Sequence, residues 1–283
     1  MPLVECGPEE RAAALALYRE GCAPGPFLIL AVLQNLQPGR VFVDRLPEPR
    51  AAFVVTRFGF CVLFGRGTDG FHAALSEKLQ TAGSLGPSYL LWYSPPAEWR
   101  GLLDPLTPTP VRRRERVRFE FEGSAASYIE EAEACPPELA LRELTADLLP
   151  STRSLKVDLE SRFWSSGEDF LRHGVGVGLF RGGEIVSLCY SACVADGHAE
   201  VDIATDAQYR TRGFGALVGR AFVRACMRKG ITPAWDAFAE NEGSVRLAKA
   251  LGFRPRISYD FYTFPLPLRL PADELTFKAT ENA

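Results

Sequence analysis

"VDIATDAQYRTRGFGALVGRAFVRACMRKG", residues 201–230, sets an alternating run, a turn holding two arginines and two glycines, and a helical pattern end to end. Phe214, Leu217, Val218, Ala221, Phe222 and Ala225 recur at three- and four-residue spacing, which predicts a helix with one stripe against a core. Gly230 is placed to stop it. Gly213 and Gly215 straddle its start and leave the first backbone N–H groups without side chains over them. Those groups have no acceptor inside the helix and lie at the positive end of its dipole, which makes an anion site. Arg210 and Arg212 add fork-shaped donors suited to phosphate oxygens, so a diphosphate fits the turn. A glycine-relaxed turn with two solvated arginines is the alternative. The spacing Arg-x-x-Gly-x-Gly between a strand and a helix is more restrictive than a glycine pair.

Composition bounds what such a site can serve. The chain has 283 residues, 47% hydrophobic and 24% charged, the balance of a soluble protein with one large or two ordinary domains. A net charge of -3 argues against bulk nucleic-acid binding. No apolar run approaches the roughly 20 residues that span a bilayer, and the first residues lack a signal-peptide pattern, so no membrane partner and a cytoplasmic location are expected. The seven cysteines are scattered without a CxxC pair and read as buried thiols in a reducing compartment. His72, His173 and His198 are the only histidines, and none has metal-ligand spacing, so no metal is expected.

Outward from the opening stretch, the seam between two lobes falls in the proline-rich region from "LLDPLTPTP" (102–110) to "ACPPELALRE" (134–143). The lobes are read as 1–123 and 124–283. Between the proline runs, "VRRRERVRFEFEG" (111–123) alternates Val117, Phe119 and Phe121 with Arg118 and Glu120, a half-buried strand. Its five arginines from 112 to 118 read as a solvated strand face, with a phosphate patch as the alternative. The first lobe reads as strands 51–57 and 60–65, a helix 70–81, a strand 88–93 and a helix 97–103. The second reads as a strand 139–143, a helical region 146–172, and two long strands turning at Gly182-Gly183. The strand "AEVDIAT", the long helix, a strand around "PAWDAFA", a helix in "NEGSVRLAKALGF" and an extended tail follow. Strand-strand-helix-strand-helix thus occurs twice, a duplication of architecture without convincing shared sequence.

"YRTRGFG" (209–215) resembles the acyl-CoA pyrophosphate loop of the GNAT superfamily of N-acetyltransferases. "WDAFAENEGSVRLAKALGF" (235–253) resembles that superfamily's second cofactor motif, an Asn followed by a helix ending in Leu-Gly-Phe. The resemblance covers 139–264. More narrowly, "FWSSGEDFL" (163–171), "SLCYSA" (187–192), "EVDIAT" (200–205) and "LAKALGF" (247–253) are similar to the zwittermicin A resistance acetyltransferases. The implied fold is α/β (α+β), a mixed and mostly antiparallel sheet flanked by helices, preceded by a second lobe that reads as a degenerate copy. The implied cofactor is acetyl-CoA. Ile203, Ala204 and Thr205 would offer backbone bonds to its pantetheine arm where neighbouring strands splay. The N–H groups of Arg212, Gly213, Phe214, Gly215 and Ala216, with Arg210, would hold the diphosphate. Asn241 would sit near the thioester, and its position before "EGSVRLAKAL" equally suits a helix N-cap.

The implied activity is transfer of an acetyl group to an amine of a small molecule, with a homodimer as the expected assembly. Two alternatives stay open: a non-catalytic acyl-CoA-binding or sensing module, and an aminoacyl or peptide transferase built from tandem lobes. Many relatives carry a Tyr seven residues after the Asn to protonate the departing thiolate; here that position is Ala248. Tyr259, Tyr262 or a bound water would have to serve. Glu200 and Asp202 alternate onto one strand face and are the candidate bases, with Asp236 and His198 in reserve.

Other motifs carry weaker readings. "GRGTDG" (65–70) has dinucleotide-loop spacing, but the following strand, "SYLLWYS", lacks the ribose-binding acid; a tight loop or a worn copy of the CoA loop is expected. "GVGVGLF" (174–180) reads as a bulged or closely packed strand. Cys189, Ser191 and Cys193 are expected on one strand face, with no histidine near to activate a thiolate. Phe163, Trp164, Trp235 and Phe238 either line an acceptor pocket or, by default, pack in a core.

Overall fold

The computed structural model describes residues 3–21, 26–103, 111–123 and 135–268. The chain separates into two compact units, one of residues 1–115 with 259–283 and the other of residues 116–258. The first carries strand β1 (Val4–Glu5), helices α1 (Arg11–Gly21) and α2 (Phe27–Leu33), and strands β2 (Gly39–Val43), β3 (Ala51–Thr56) and β4 (Phe60–Gly65). Helix α3 (Asp69–Gln80), strand β5 (Tyr89–Tyr93) and helix α4 (Ala97–Leu103) follow. Strand β6 (Arg112–Phe121) leads out of it.

The second unit runs through β7 (Leu139–Glu143), a 3₁₀ turn (Leu149–Leu155), α5 (Leu159–Arg162), α6 (Gly167–His173), β8 (Gly176–Arg181), β9 (Glu184–Ala195) and β10 (His198–Thr205). It continues with α7 (Phe214–Arg228), β11 (Thr232–Phe238), α8 (Glu242–Ala250) and β12 (Phe253–Pro265).

The two units repeat one plan. In each, three consecutive antiparallel strands (β2-β3-β4 and β8-β9-β10) are followed by a helix and then by a strand parallel to the third. A parallel neighbour needs such a crossover, and α3 and α7 supply it. Each unit is then completed by the strand that ends the other's run of chain. β5 pairs with the last part of β12, and β11 pairs with the last part of β6. This exchange is why the domain boundary expected at 123/124 becomes cuts at 115/116 and 258/259; it cannot be seen from local patterns. The seam at 124–134 lies outside the described residues.

Three differences from the sequence reading have local causes. The helical region 146–172 is a 3₁₀ turn and two short helices, because Pro150, the left-handed Lys156 (φ 59) and the side-chain caps Asp158 and Ser166 interrupt it. The first fifty residues, whose short elements gave no clear period, hold β1, α1, α2 and β2. Finally, the arginines of β6 are not a uniformly solvated face. Arg116 and Arg118 are buried, and both reach Asp236 on the paired strand.

The hairpin at Gly182-Gly183 forms as expected, with both glycines at positive φ. The long helix ends at Gly230, where the Ile231 N–H returns to the Cys226 carbonyl. One face of the second unit's sheet is covered by α7 and α8, with Phe222 of α7 clustered with Val177, Leu179 and Ala199, and Val223 of α7 with Trp235 and Phe253. Its opposite face carries the charged groups described next.

Candidate active site

β10 and β11 make a fork. They are hydrogen-bonded for only three positions, His198 with Thr232, Ala199 with Pro233 and Glu200 with Ala234. Beyond Glu200, β10 stays paired with β9 as far as Thr205, whereas β11 is paired onward with β6. The main chain of β10 beyond 200 therefore has a ladder on one side only. Two contacts mark the open side: Ile203 N–H donates to the Asp202 carboxylate at 2.9 Å, and Arg210 Nε reaches the Thr205 carbonyl at 3.4 Å. Ser187 and Thr205 share a hydroxyl hydrogen bond of 2.7 Å that fixes the strand end.

The turn after β10 ends on Gly213, which has φ 81 and is the N-cap of α7 without a side-chain bond to the helix. The N–H groups of Phe214 and Gly215 have no acceptor ahead of them in the helix. Ala216 differs from expectation: its N–H already bonds the Gly213 carbonyl at 3.0 Å, in a tightened first turn. Arg210 and Arg212 are exposed beside this turn. Asn241 caps α8, its Oδ1 accepting from the Ser244 N–H at 3.2 Å.

The glycines show what the turn is shaped for. A Cβ on Gly215 would meet only Leu247, Thr205 and Ile203, at 3.5, 3.8 and 3.9 Å, all ordinary contacts. Nothing in the protein demands a glycine there; a side chain would extend into the slot between α7, β10 and Leu247. The loop "GRGTDG" of the first unit is the opposite case. A side chain on Gly65 would strike the Arg50 carbonyl, and one on Gly67 would strike His72. Thr68 caps α3 by accepting the Phe71 N–H, and Asp69 puts an acid in its first turn. That loop is a packing loop with its helix end already filled.

The face of β10 opposite α7 holds Glu200 and Asp202, while Val201 and Ile203 pack toward the helices. Glu200 stands at the vertex of the fork and is 7% exposed, far from the exposed strand face that was the alternative reading. Asp202 is differently employed. It accepts from Tyr190 Oη at 2.6 Å, from the Ile203 N–H, and pairs with Arg162 of α5 at 3.3 Å. Burial and the Asp202 charge push the Tyr190 phenol well above its ordinary value, so it stays a donor. These contacts engage Asp202, and Glu200 is the more deeply buried of the two carboxylates.

The reserves fall away. Asp236 is held by Arg116 at 2.6 Å and Arg118 at 3.6 Å. His198 lies at the far end of β10 with its Nδ1 on the Asp196 carbonyl. Tyr262 is fully buried in the core of the first unit, and Tyr259 is half-buried with its ring tilted against Tyr93. Ala248 is itself fully buried among Trp235, Leu251 and Phe253, a place without room for a phenol.

A β-bulge corrects the cysteine reading. The register between β10 and β9 slips at Glu200/Val201, so that Cys193 faces Glu200 while Cys189 packs under α7. Burial raises both thiols well above the ordinary range, so neither is a nucleophile. Trp164 clamps this bulge, its Nε1 donating to the Ser191 carbonyl at 3.0 Å. Trp164→Phe should therefore lower stability by about 1–2 kcal/mol in a urea titration, by leaving that buried carbonyl unpaired. Phe163, Trp164 and Trp235 are core residues, and Phe238 lies under the Arg116 guanidinium at 4.7 Å.

Several site residues escaped the sequence reading: Tyr190 and Arg162, Leu247, and Arg181, whose guanidinium sits 5.7 Å over the Tyr209 ring. Among the described residues, no helix is long and apolar enough to cross a membrane.

The model of GNAT acetyltransferases matches residues 25–262, through both units. The chain belongs to the GNAT acetyltransferase family. It is 26% identical over 238 residues to YdfB of Bacillus subtilis (strain 168), an uncharacterized N-acetyltransferase, covering 84% of this chain and 90% of that one. Its fold is like that of a GCN5-related N-acetyltransferase-like protein from Streptococcus suis 89/1591. The TM-score is 0.69 at 20% identity, with 90% of this chain and 98% of the other covered. It is also like a tandem GNAT protein from the clavulanic acid biosynthesis pathway, with TM-score 0.62 at 12% identity and 92% and 97% covered. The mixed, mostly antiparallel GNAT sheet and its two lobes are thus the fold of this family member. The resemblance read in 139–264 extends across most of the chain.

Proposed function

We propose that the protein is an acetyl-CoA-dependent N-acetyltransferase acting on an amine of a small molecule. The observation that carries this is the fork of β10 and β11 with Glu200 at its vertex, together with the glycine-capped start of α7 that β10 leads into. When bound, acetyl-CoA supplies an activated acyl group as a thioester. Ile203, Ala204 and Thr205 would line its pantetheine arm, and the Ile203 N–H becomes available once Asp202 gives it up. Phe214 and Gly215 N–H groups, Gly213, Arg210 and Arg212 would hold the diphosphate, with Ala216 a weaker contributor. Asn241 keeps the start of α8 in place beside the slot.

The chemistry asks the protein for positioning and one base. Glu200 takes a proton from the attacking ammonium, directly or through water. With acetyl-CoA bound, the amine nitrogen would bond the acyl carbon, the carbon–sulfur electron pair would leave on sulfur, and the second proton of the nitrogen would pass to water. Ala248 supplies no proton to that sulfur. The reaction tolerates this, because a thiol of ordinary pKa about 8.5 can leave as thiolate and take its proton from water.

Asp202, bonded to Tyr190 and Arg162, holds the strand face beside Glu200. The narrower likeness to zwittermicin A resistance enzymes supports an antibiotic-like polar amine as acceptor, met in the cytoplasm. Ala248 favours a second reading, a non-catalytic acyl-CoA binder. The tandem peptide-transferase reading is weaker, since its basic face would have drawn on Arg116 and Arg118, which are buried against Asp236.

Incubating the protein with acetyl-CoA and a mixed amine panel decides between enzyme and binder. Mass spectrometry should show one amine gaining one acetyl group while free thiol appears. Binding of acetyl-CoA with no thiol release over any panel would leave the binder standing.

A further inference from the structure

Three guanidinium groups gather at one corner of the second unit. Arg212 lies 5.6 Å and Arg181 5.7 Å from the centroid of the Tyr209 ring, and Arg210 reaches back to Thr205. Tyr209 in turn stacks on Phe214, the first residue of α7, at 5.7 Å. All three arginines are exposed, and among the described residues none is paired with a carboxylate. Arg181 ends β8, far from the turn in sequence, and the hairpin to β9 carries it there. Glu184 opposite Arg181 and Asp206 in the turn form no ion pair with these arginines among the described residues, so the cations repel and a polyanion at the same corner relieves that repulsion.

The turn and the helix start account for a diphosphate. They do not call on Arg181, which is held beside them over the Tyr209 ring. We propose that Arg181 binds the 3′-phosphate of coenzyme A, so that the protein selects its acyl donor by that phosphate. A phosphate monoester carries about two negative charges at neutral pH and presents three acceptor oxygens, which suits the planar fork of an arginine. The stacking of Tyr209 between Phe214 and the two guanidinium groups ties the position of Arg181 to the helix that holds the diphosphate. The inference rests on the reading that the 210–216 turn holds coenzyme A.

Coenzyme A and 3′-dephospho-CoA differ by this one group, so the test is a subtraction. Calorimetric titration of the full chain at low salt should show coenzyme A binding about tenfold tighter than 3′-dephospho-CoA, a gap that narrows as salt rises. In Arg181→Ala the gap should close, with 3′-dephospho-CoA bound as by the unaltered protein. Equal weakening of both ligands would mean that Arg181 only steadies Tyr209, and the proposal would fall. A gap that persists in the variant also overturns it. Should the unaltered protein bind neither ligand, the cofactor reading itself fails, which is a different result from a closed gap.

Discussion

Glu200→Gln should lower the acetyl-transfer rate a hundredfold or more while coenzyme A affinity stays at its unaltered value. The amine arrives mostly as ammonium at neutral pH, and general bases of this kind contribute about a hundred- to ten-thousandfold. Glu200 sits at the last position where β10 and β11 are paired, so it is the side chain nearest to where the fork opens. It faces away from α7 and α8, which leaves the slot between them untouched by the change. Glutamine keeps the size but is neutral and cannot take a proton. Asp202→Asn makes the contrast. Tyr190 and the Ile203 N–H bond different oxygens of Asp202, so asparagine keeps one of the two bonds and loses its charge toward Arg162, and a loss of tenfold or less is expected. Rates equal to the unaltered protein in Glu200→Gln across pH 6 to 9 would remove Glu200 as the base. A larger loss in Asp202→Asn would move the role to Asp202.

The contrast between these two carboxylates was beyond the reach of sequence, although both were legible as a pair. Alternation along "EVDIAT" puts them on one face, and it holds. What alternation cannot report is what lies across that face. Tyr190 and Arg162 stand 12 and 40 residues before Asp202, and the bulge at Glu200/Val201 decides which side chain of β9 opposes which carboxylate. The same blindness made Arg116 and Arg118 look solvated, when the pairing of β6 with β11 buries them against Asp236.

By contrast, the glycine turn that starts α7 was legible because it is built from consecutive residues. Gly213 needs its positive φ, the stripe from Phe214 to Ala225 needs its period, and Gly230 ends it; each is a local requirement. The exchange of β6 and β12 between the units involves pairings separated by more than a hundred residues, and no window of sequence contains them.

Gly215→Leu should abolish measurable coenzyme A binding and leave the fold standing. The expected outcome follows from two distances and one absence of strain. A Cβ at 215 would lie 3.5 Å from Leu247 and 3.8 Å from the Thr205 hydroxyl, so the first carbon fits. Gly215 is not among the positive-φ glycines, and in a helix a residue with a side chain is favoured over glycine by about 0.5–1 kcal/mol. The backbone therefore does not resist the change. The remaining atoms of leucine must go into the slot bounded by Ile203, Thr205 and Leu247, where the pantetheine arm and diphosphate would meet.

Gly213 is the wrong place for this test, because its φ of 81 would strain any other residue and confound binding with folding. Gly215→Ala should fall between, with an unfolding temperature at or above the unaltered value and affinity weakened about tenfold by the single methyl group. Unchanged coenzyme A affinity in Gly215→Leu, with the protein folded by circular dichroism, would show that the cofactor does not pass between α7 and Leu247. The whole site would then have to be sought elsewhere on the sheet.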